Sequence, residues 1–192
     1  QAGPEVGEHH YNLANAMTAS LRYADAMPSA PMSLRTMTRN EVDLAIDWAA
    51  AEGWNPGLAD AACFATVDPQ GFLIGEFDGE TAATVSCVNY GASFAFLGFY
   101  IVRPDLRGRG LGLQIWNAAI AHAGSRVIGL DGVVAQQENY RKSGFKLAYA
   151  NIRYGGTVAP VRDIPHCGVM PLSEIPLADV EAYDAAVFPA PR

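Results

Sequence analysis

Residues 94–124 read FAFLGFYIVRPDLRGRGLGLQIWNAAIAHAG, and the succession of residue types along them decides the fold. From Phe94 to Val102 the run is apolar and rich in aromatic and β-branched side chains, the signature of a strand. It breaks at Arg103-Pro104-Asp105 and passes through Gly108, Gly110 and Gly112. From Leu113 the spacing changes: Leu113, Trp116, Ile120 and Ala123 fall on one helical face, and Gly124 stops the helix. A strand, a glycine-rich turn and a helix in that order make an anion cradle. The glycines lack the Cβ atoms that would hold backbone N–H groups away from phosphate oxygens. The helix adds its unpaired first-turn donors and the positive end of its dipole. Arg107 and Arg109 add two fixed charges, each worth about 1.5–3 kcal/mol per charge-assisted hydrogen bond.

Three phosphate-binding templates compete for these glycines. The P-loop requires Lys-Ser or Lys-Thr after its last glycine, and neither follows here. The dinucleotide fingerprint finds two of its glycines in Gly110 and Gly112, and Asp131, 19 residues on, stands where a ribose-binding acid would. Its third glycine position is Ile115, however, and the strand ends well before Gly110. The third template asks for Arg or Gln, two free positions, Gly, one free position, then Gly or Ala. Arg107-Gly108-Arg109-Gly110-Leu111-Gly112 satisfies it, and so resembles the coenzyme A pyrophosphate loop of the GNAT N-acetyltransferase superfamily. Tyr100-Ile101-Val102-Arg103-Pro104 resembles that family's fourth strand and its exit. Tyr140-Arg141-Lys142-Ser143-Gly144-Phe145 is similar to the Tyr…Gly-Phe motif that closes a short helix later in the family. The likeness spans residues 34–154.

The resemblance implies a mixed α/β fold: a mostly antiparallel central sheet flanked by helices, with the pyrophosphate loop between strand four and the next helix. It implies an acyl-CoA-dependent N-acetyltransferase that moves an acetyl group from acetyl-CoA to an amine of a small molecule. Backbone groups of Arg107, Gly108, Arg109, Gly110, Leu111 and Gly112 would hold the pyrophosphate, and Tyr100, Ile101 and Val102 would present a strand edge to the pantetheine arm. Tyr140 stands at the position of a general acid for the departing thiolate. Relatives often carry an Asn six residues before this Tyr; here it is Val134, so Gln136, Gln137 or Asn139 takes over the contact, and Gln137 is counted with the coenzyme-binding set. Trp54 and Asn55 fall where the family lines the acceptor side, Trp54 as a wall and Asn55 as an orienting amide. An Asn before proline also sets a turn. The strand 94–102 lacks the Glu or Asp that many relatives carry, which leaves the general base open. Asp131, Glu76 and Glu138 are the nearest candidates by sequence, each also readable as a surface or turn carboxylate, and a water chain is the other route. A coenzyme-binding regulatory domain without catalysis is the alternative reading.

At 192 residues the chain makes one medium domain with tails and buries a sizeable core. Thirteen basic and twenty acidic residues give a net charge of −7, which disfavours nucleic acid and anionic membrane as partners and is compatible with a cationic amine. Cys63, Cys87 and Cys167 are odd in number and widely spaced, so reduced cysteines in a cytoplasmic protein are expected, without a metal site. No apolar run reaches the ~18 residues of a membrane span.

Residues 1–31 show little periodicity and read as a tail or leader, His9 and His10 included. The domain is expected over 32–156: a strand at 34–37, a helix capped by Thr38 or Asn40 with Val42, Ile46 and Ala49 buried, then the breaker 53–57 and a short helix over 58–66. Strands follow at 72–77 and 81–89 around the turn Asp78-Gly79, then at 94–102 and 127–134, with a helix over 136–143 and a strand over 145–154. Residues 157–192 read as a C-terminal extension or the start of a linker, with strand candidates at 158–164 and 168–170 and a helix over 177–188. We expect the chain to be the first half of a tandem protein or a shortened relative, with a homodimer or a second acetyltransferase-like domain as partner.

Overall fold

The structure is a computed structural model and describes residues 6–16, 31–154, 168–188 and 190. It holds a seven-stranded sheet with helices on both faces. The strands are β1 (Val6–Ala16), β2 (Ser33–Thr36), β3 (Phe72–Phe77), β4 (Glu80–Tyr90), β5 (Phe94–Val102), β6 (Val127–Val133) and β7 (Leu147–Tyr154). They lie in the order β2-β3-β4-β5-β6-β1-β7, and β5–β6 is the one parallel pair in an otherwise antiparallel ladder. The mixed, mostly antiparallel sheet expected from the sequence is what forms.

Local chemistry explains the central elements. Asp78 and Gly79 both take positive φ, 54° and 81°, the turn whose twist matches two antiparallel strands, and so join β3 to β4. Helix α1 (Arg39–Ala51) starts at Thr38 with a capping box: Glu41 Oε2 accepts from the Thr38 N–H at 2.7 Å. Its buried stripe is Val42, Ala45 and Ala49, with Ile46 half-buried rather than buried. Helix α2 (Asp60–Val67) follows the breaker, and with α1 it covers one face of the sheet over Phe72, Ile74, Val88, Tyr90 and Phe94. On the other face α3 (Leu111–Ala123) lays Ile115, Trp116, Ala119 and Ala123 against Val85, Cys87, Ala95 and Leu97. Helix α4 (Gln137–Lys142) is short. Helix α5 (Leu177–Val187) leaves Leu177, Tyr183 and Val187 exposed, and the segment after it docks through Phe188, whose ring meets Tyr90 and Phe94 edge-on at 5.5 Å each.

Three differences from the sequence reading have physical causes. Residues 6–16, within the stretch read as a tail or leader, form β1, which pairs on both flanks with β6 and β7. A strand held on both sides draws its stability from its neighbours' backbone, so it needs no strong periodicity of its own. Helix α3 begins at Leu111, two residues before its apolar stripe, because Gly110 supplies the left-handed cap. Residues 168–170 form no strand, and Val169 and Met170 are exposed. The candidate strand 158–164 lies outside the described residues.

Candidate active site

The site begins at a divergence of two strands. β5 and β6 are paired only from Phe94↔Val127 to Leu97↔Leu130; beyond that point each continues without the other. The cause lies in β5, where the register with β4 slips by one residue between Thr84↔Ile101 and Ser86↔Gly98. The extra residue is Phe99, held at φ +47°. A large side chain rarely adopts that conformation, and a bulge re-aims the strand that carries it. The Thr84 hydroxyl secures the distortion by donating to the Phe99 carbonyl at 2.9 Å. Because β5 bends away, its edge from Gly98 to Val102 opens onto a cleft of about 940 Å³.

The glycine loop stands at one end of that cleft. Gly108 and Gly110 are both at φ +77°, and nothing lies within 4 Å of where a Gly108 side chain would start. These two residues put backbone free of Cβ atoms just before the N-terminus of α3. Gly112 serves packing instead: a Cβ there would collide with the Tyr100 hydroxyl and come within 3.1 Å of Val102 Cγ2. Gly132 does the same on β6, where a Cβ would strike the ring of Tyr140. The two glycines clear space for two tyrosines on either side of Trp116. Tyr100 meets the indole edge-on at 5.1 Å between ring centres, and Tyr140 stacks on it at 6.0 Å and 27°. Burial pushes the Tyr100 phenol up to about 12 and raises that of Tyr140 above its ordinary value, against a backbone hydrogen bond at Val133 that pulls it down. Tyr140 therefore keeps its proton through the neutral range.

The cleft is lined by Tyr100, Ile101, Val102, Arg107, Gly108, Gly110, Gly112, Trp54 and Tyr140, so most of the expected site residues meet there. Four do not line it. Leu111 is 1% exposed and belongs to the core. Arg109 places its guanidinium 4.7 Å over the Phe77 ring, a cation–π contact. Gln137 accepts a long 3.4 Å bond from Arg141, while Gln136 lines the cleft. Asn55 is exposed at φ +49°, which favours its turn-setting role. The Arg107 guanidinium is committed too: Nε donates to Val102 O at 2.9 Å and Nη2 to Glu52 Oε1 at 2.5 Å. It ties the loop to the end of α1, so the cradle is made chiefly of backbone donors.

Among the three carboxylates considered as base, Asp131 lines the cleft and accepts from Asn151 at 3.2 Å. Glu76 is bound by Arg35 at the far edge of the sheet, and Glu138 pairs with Arg141. Sequence reasoning missed the Phe99 bulge, for which no residue pattern exists. It also missed that Trp116, read only as part of a helical stripe, is the platform for both tyrosines.

Residues 38–145, more than half of the chain, match the model of the acetyltransferase (GNAT) family. The chain is 37% identical over 164 residues to a holothin acyltransferase from Pseudoalteromonas sp. (strain SANK 73390), which covers 85% of this chain and 54% of that protein. It thus spans about half the length of this relative. Among solved structures, Ard1 from Thermoplasma volcanium superposes with a TM-score of 0.54 at 14% identity, over 62% of this chain and 86% of that one. N-acetylglutamate synthase from Neisseria gonorrhoeae, in complex with coenzyme A and N-acetyl-glutamate, gives 0.52 at 17% identity, over 64% and 30%. At such identities the structural likeness speaks for the fold alone. Together with the splayed strands, the glycine cradle and the matched family model, it closes the question of kinship: the chain belongs to the GNAT acetyltransferase family.

Proposed function

We propose that the protein is an acyl-CoA-dependent N-acetyltransferase that uses acetyl-CoA to acetylate an amine of a small molecule. The observation that carries this reading is the meeting of three features in one cleft: the open edge of β5, the Gly108–Gly110 cradle and the Tyr140 phenol. The family match and the relative that bears the name of an acyltransferase support it.

The residues present fit coenzyme A. The cradle offers backbone donors and a helix N-terminus to a pyrophosphate, and the unpaired edge from Gly98 to Val102 suits an extended, amide-bearing arm. Acetyl-CoA supplies the activated carbonyl and the thiolate leaving group. The chain's part is to bind, orient and move one proton. Backbone N–H groups on a bent strand beside a carbonyl oxygen stabilise developing negative charge, an effect worth ~2.7–4 kcal/mol in comparable sites. Tyr140 Oη holds the proton that the sulfur needs, and burial of the phenol keeps it protonated. Of Gln136, Gln137 and Asn139, the three that sequence reading left open for the contact with the arm, Gln136 lines the cleft and takes that place. That the chain spans about half of the holothin acyltransferase supports reading it as one half of a longer protein, which a mass spectrum of the native product tests.

Calorimetry with acetyl-CoA, followed by thiol release against a panel of amines, tests the proposal. We expect micromolar binding and amine-dependent release. Tyr140→Phe keeps the stack on Trp116 and loses only the hydroxyl, so kcat should fall at least tenfold with acetyl-CoA affinity unchanged. An unaltered kcat overturns the acid assignment, and binding without release from any amine returns the protein to the class of coenzyme-binding domains.

A further inference from the structure

The cleft has two ends with different chemistry. The loop end, with Trp116, Tyr100 and Leu106, belongs to the core under α3. The other end passes through the sheet to the α1–α2 face and is lined by Trp54, Phe64, Val88, Tyr90, Phe96 and Phe99. Of these, Val88 and Tyr90 are buried core residues, and Phe64, Phe96 and Phe99 pack half-buried against them. Five aromatic side chains in so short a compass present ring faces and edges, a surface suited to a flat, apolar guest.

Charge is scarce at this end. Across the whole cleft the ionisable side chains among the described residues are Glu52, Arg107 and Asp131 with Tyr90, Tyr100 and Tyr140. Glu52 and Arg107 engage each other at 2.5 Å. Asp131 stands on β6, across the splay from the aromatic end, and is bonded by Asn151. Among the described residues the one carboxylate near the aromatic end is Glu52, two residues from Trp54 and already held by Arg107. An alkylammonium entering there would lose its water with no second carboxylate to receive it, a cost of several kcal/mol for an unpaired ion. It would also have to shed a proton held with a pKa of about 10.4 before its nitrogen could attack.

Resting on the acyltransferase reading above, we propose that the acceptor is an uncharged, planar aryl or heteroaryl amine. Such an amine is already neutral at physiological pH and needs no base to begin. Its nitrogen lone pair attacks the thioester carbonyl carbon, the C–N bond forms and the C–S bond breaks. The sulfur takes a proton from Tyr140, and the proton shed by nitrogen restores the phenol through solvent. The products are the N-aryl amide and the free thiol, with atoms and charge balanced. This explains why β5 works without an acidic residue: the substrate's own chemistry removes the need for one.

A matched pair of probes tests it on the full-length protein with acetyl-CoA. p-Toluidine is flat and neutral at pH 7; 4-methylcyclohexylamine has the same carbon skeleton, is puckered and is cationic. We expect kcat/KM at pH 7 at least tenfold higher for p-toluidine, with its rate flat between pH 6 and 8. Phe64→Ala, at the half-buried rim, should raise KM for p-toluidine several-fold and leave the acetyl-CoA dissociation constant in place, with Phe64→Tyr restoring it. Equal rates, a preference for the cyclohexylamine, transfer to neither amine while acetyl-CoA binds, or a Phe64→Ala variant with unchanged KM overturns the proposal. Loss of acetyl-CoA binding in the unmodified protein overturns the acyltransferase reading itself and is seen separately by calorimetry.

Discussion

Gly112 shows how much one missing methyl group controls. Its hydrogen faces Tyr100 and Val102 where α3 packs on β5, and a methyl group there would strike the Tyr100 hydroxyl. Gly112→Ala must push α3 away or displace the Tyr100 ring. We expect a loss of about 1–3 kcal/mol in urea unfolding, the usual cost of overpacking, together with weaker acetyl-CoA binding in calorimetry. The sequence told of three glycines with one purpose; the structure divides them, two for their positive φ and one for close approach. Spacing marks where glycines cluster but carries no information on which neighbour each must avoid. The arginines teach the same lesson. Arg107 and Arg109 are legible as charges in a phosphate motif, yet their guanidiniums are held by Val102, Glu52 and the Phe77 ring, partners that come from elsewhere in the chain.

Among the elements, β3 and β5 occupy the spans read from sequence, because each is an apolar run closed by turn residues at both ends. The Phe99 bulge inside β5 was not legible, since an aromatic at positive φ is imposed by the surrounding sheet and leaves no mark in composition. Helix α1 permits a direct check on its start. The Glu41 carboxyl is lowered from about 4.5 to about 2, first by the Arg35 guanidinium and then by the Thr38 N–H and hydroxyl. A carboxylate with a depressed folded pKa stabilises above its unfolded value, and that contribution fades as pH falls from about 4.5 towards about 2. Glu41→Gln keeps a capping-box side chain and removes the charge. The variant should melt a few degrees at most below the parent at pH 7, as exposed ion pairs allow, and the two melting curves should converge near pH 2.

At the scale of the molecule, the outline came from two motifs in order, which placed a cradle before a helix and a tyrosine before a strand. The place of β1 between β6 and β7 did not, because it lies more than a hundred residues in sequence from both strands it joins. Its seven aligned pairs with β6 stiffen the strand that carries Asp131 and Val133 into the cleft. Removing residues 1–16 should lower the melting temperature and raise amide exchange across Val127–Val133. If protection there survives, β7 has moved in beside β6. The net charge of −7 is a property of the whole chain, whereas one end of the cleft is lined by aromatic rings.

The divergence of β5 from β6 has one more consequence. A sheet normally hides its hydrogen-bonding edges at its two margins, but this one carries an open edge in its middle, from Gly98 to Val102. Any extended backbone can dock on such a flank, a neighbouring chain's strand included. Under the proposed function the pantetheine arm fills that vacancy and acts as a chaperone of solubility as well as a reactant. The protein then guards itself against self-association most weakly when its coenzyme is scarce.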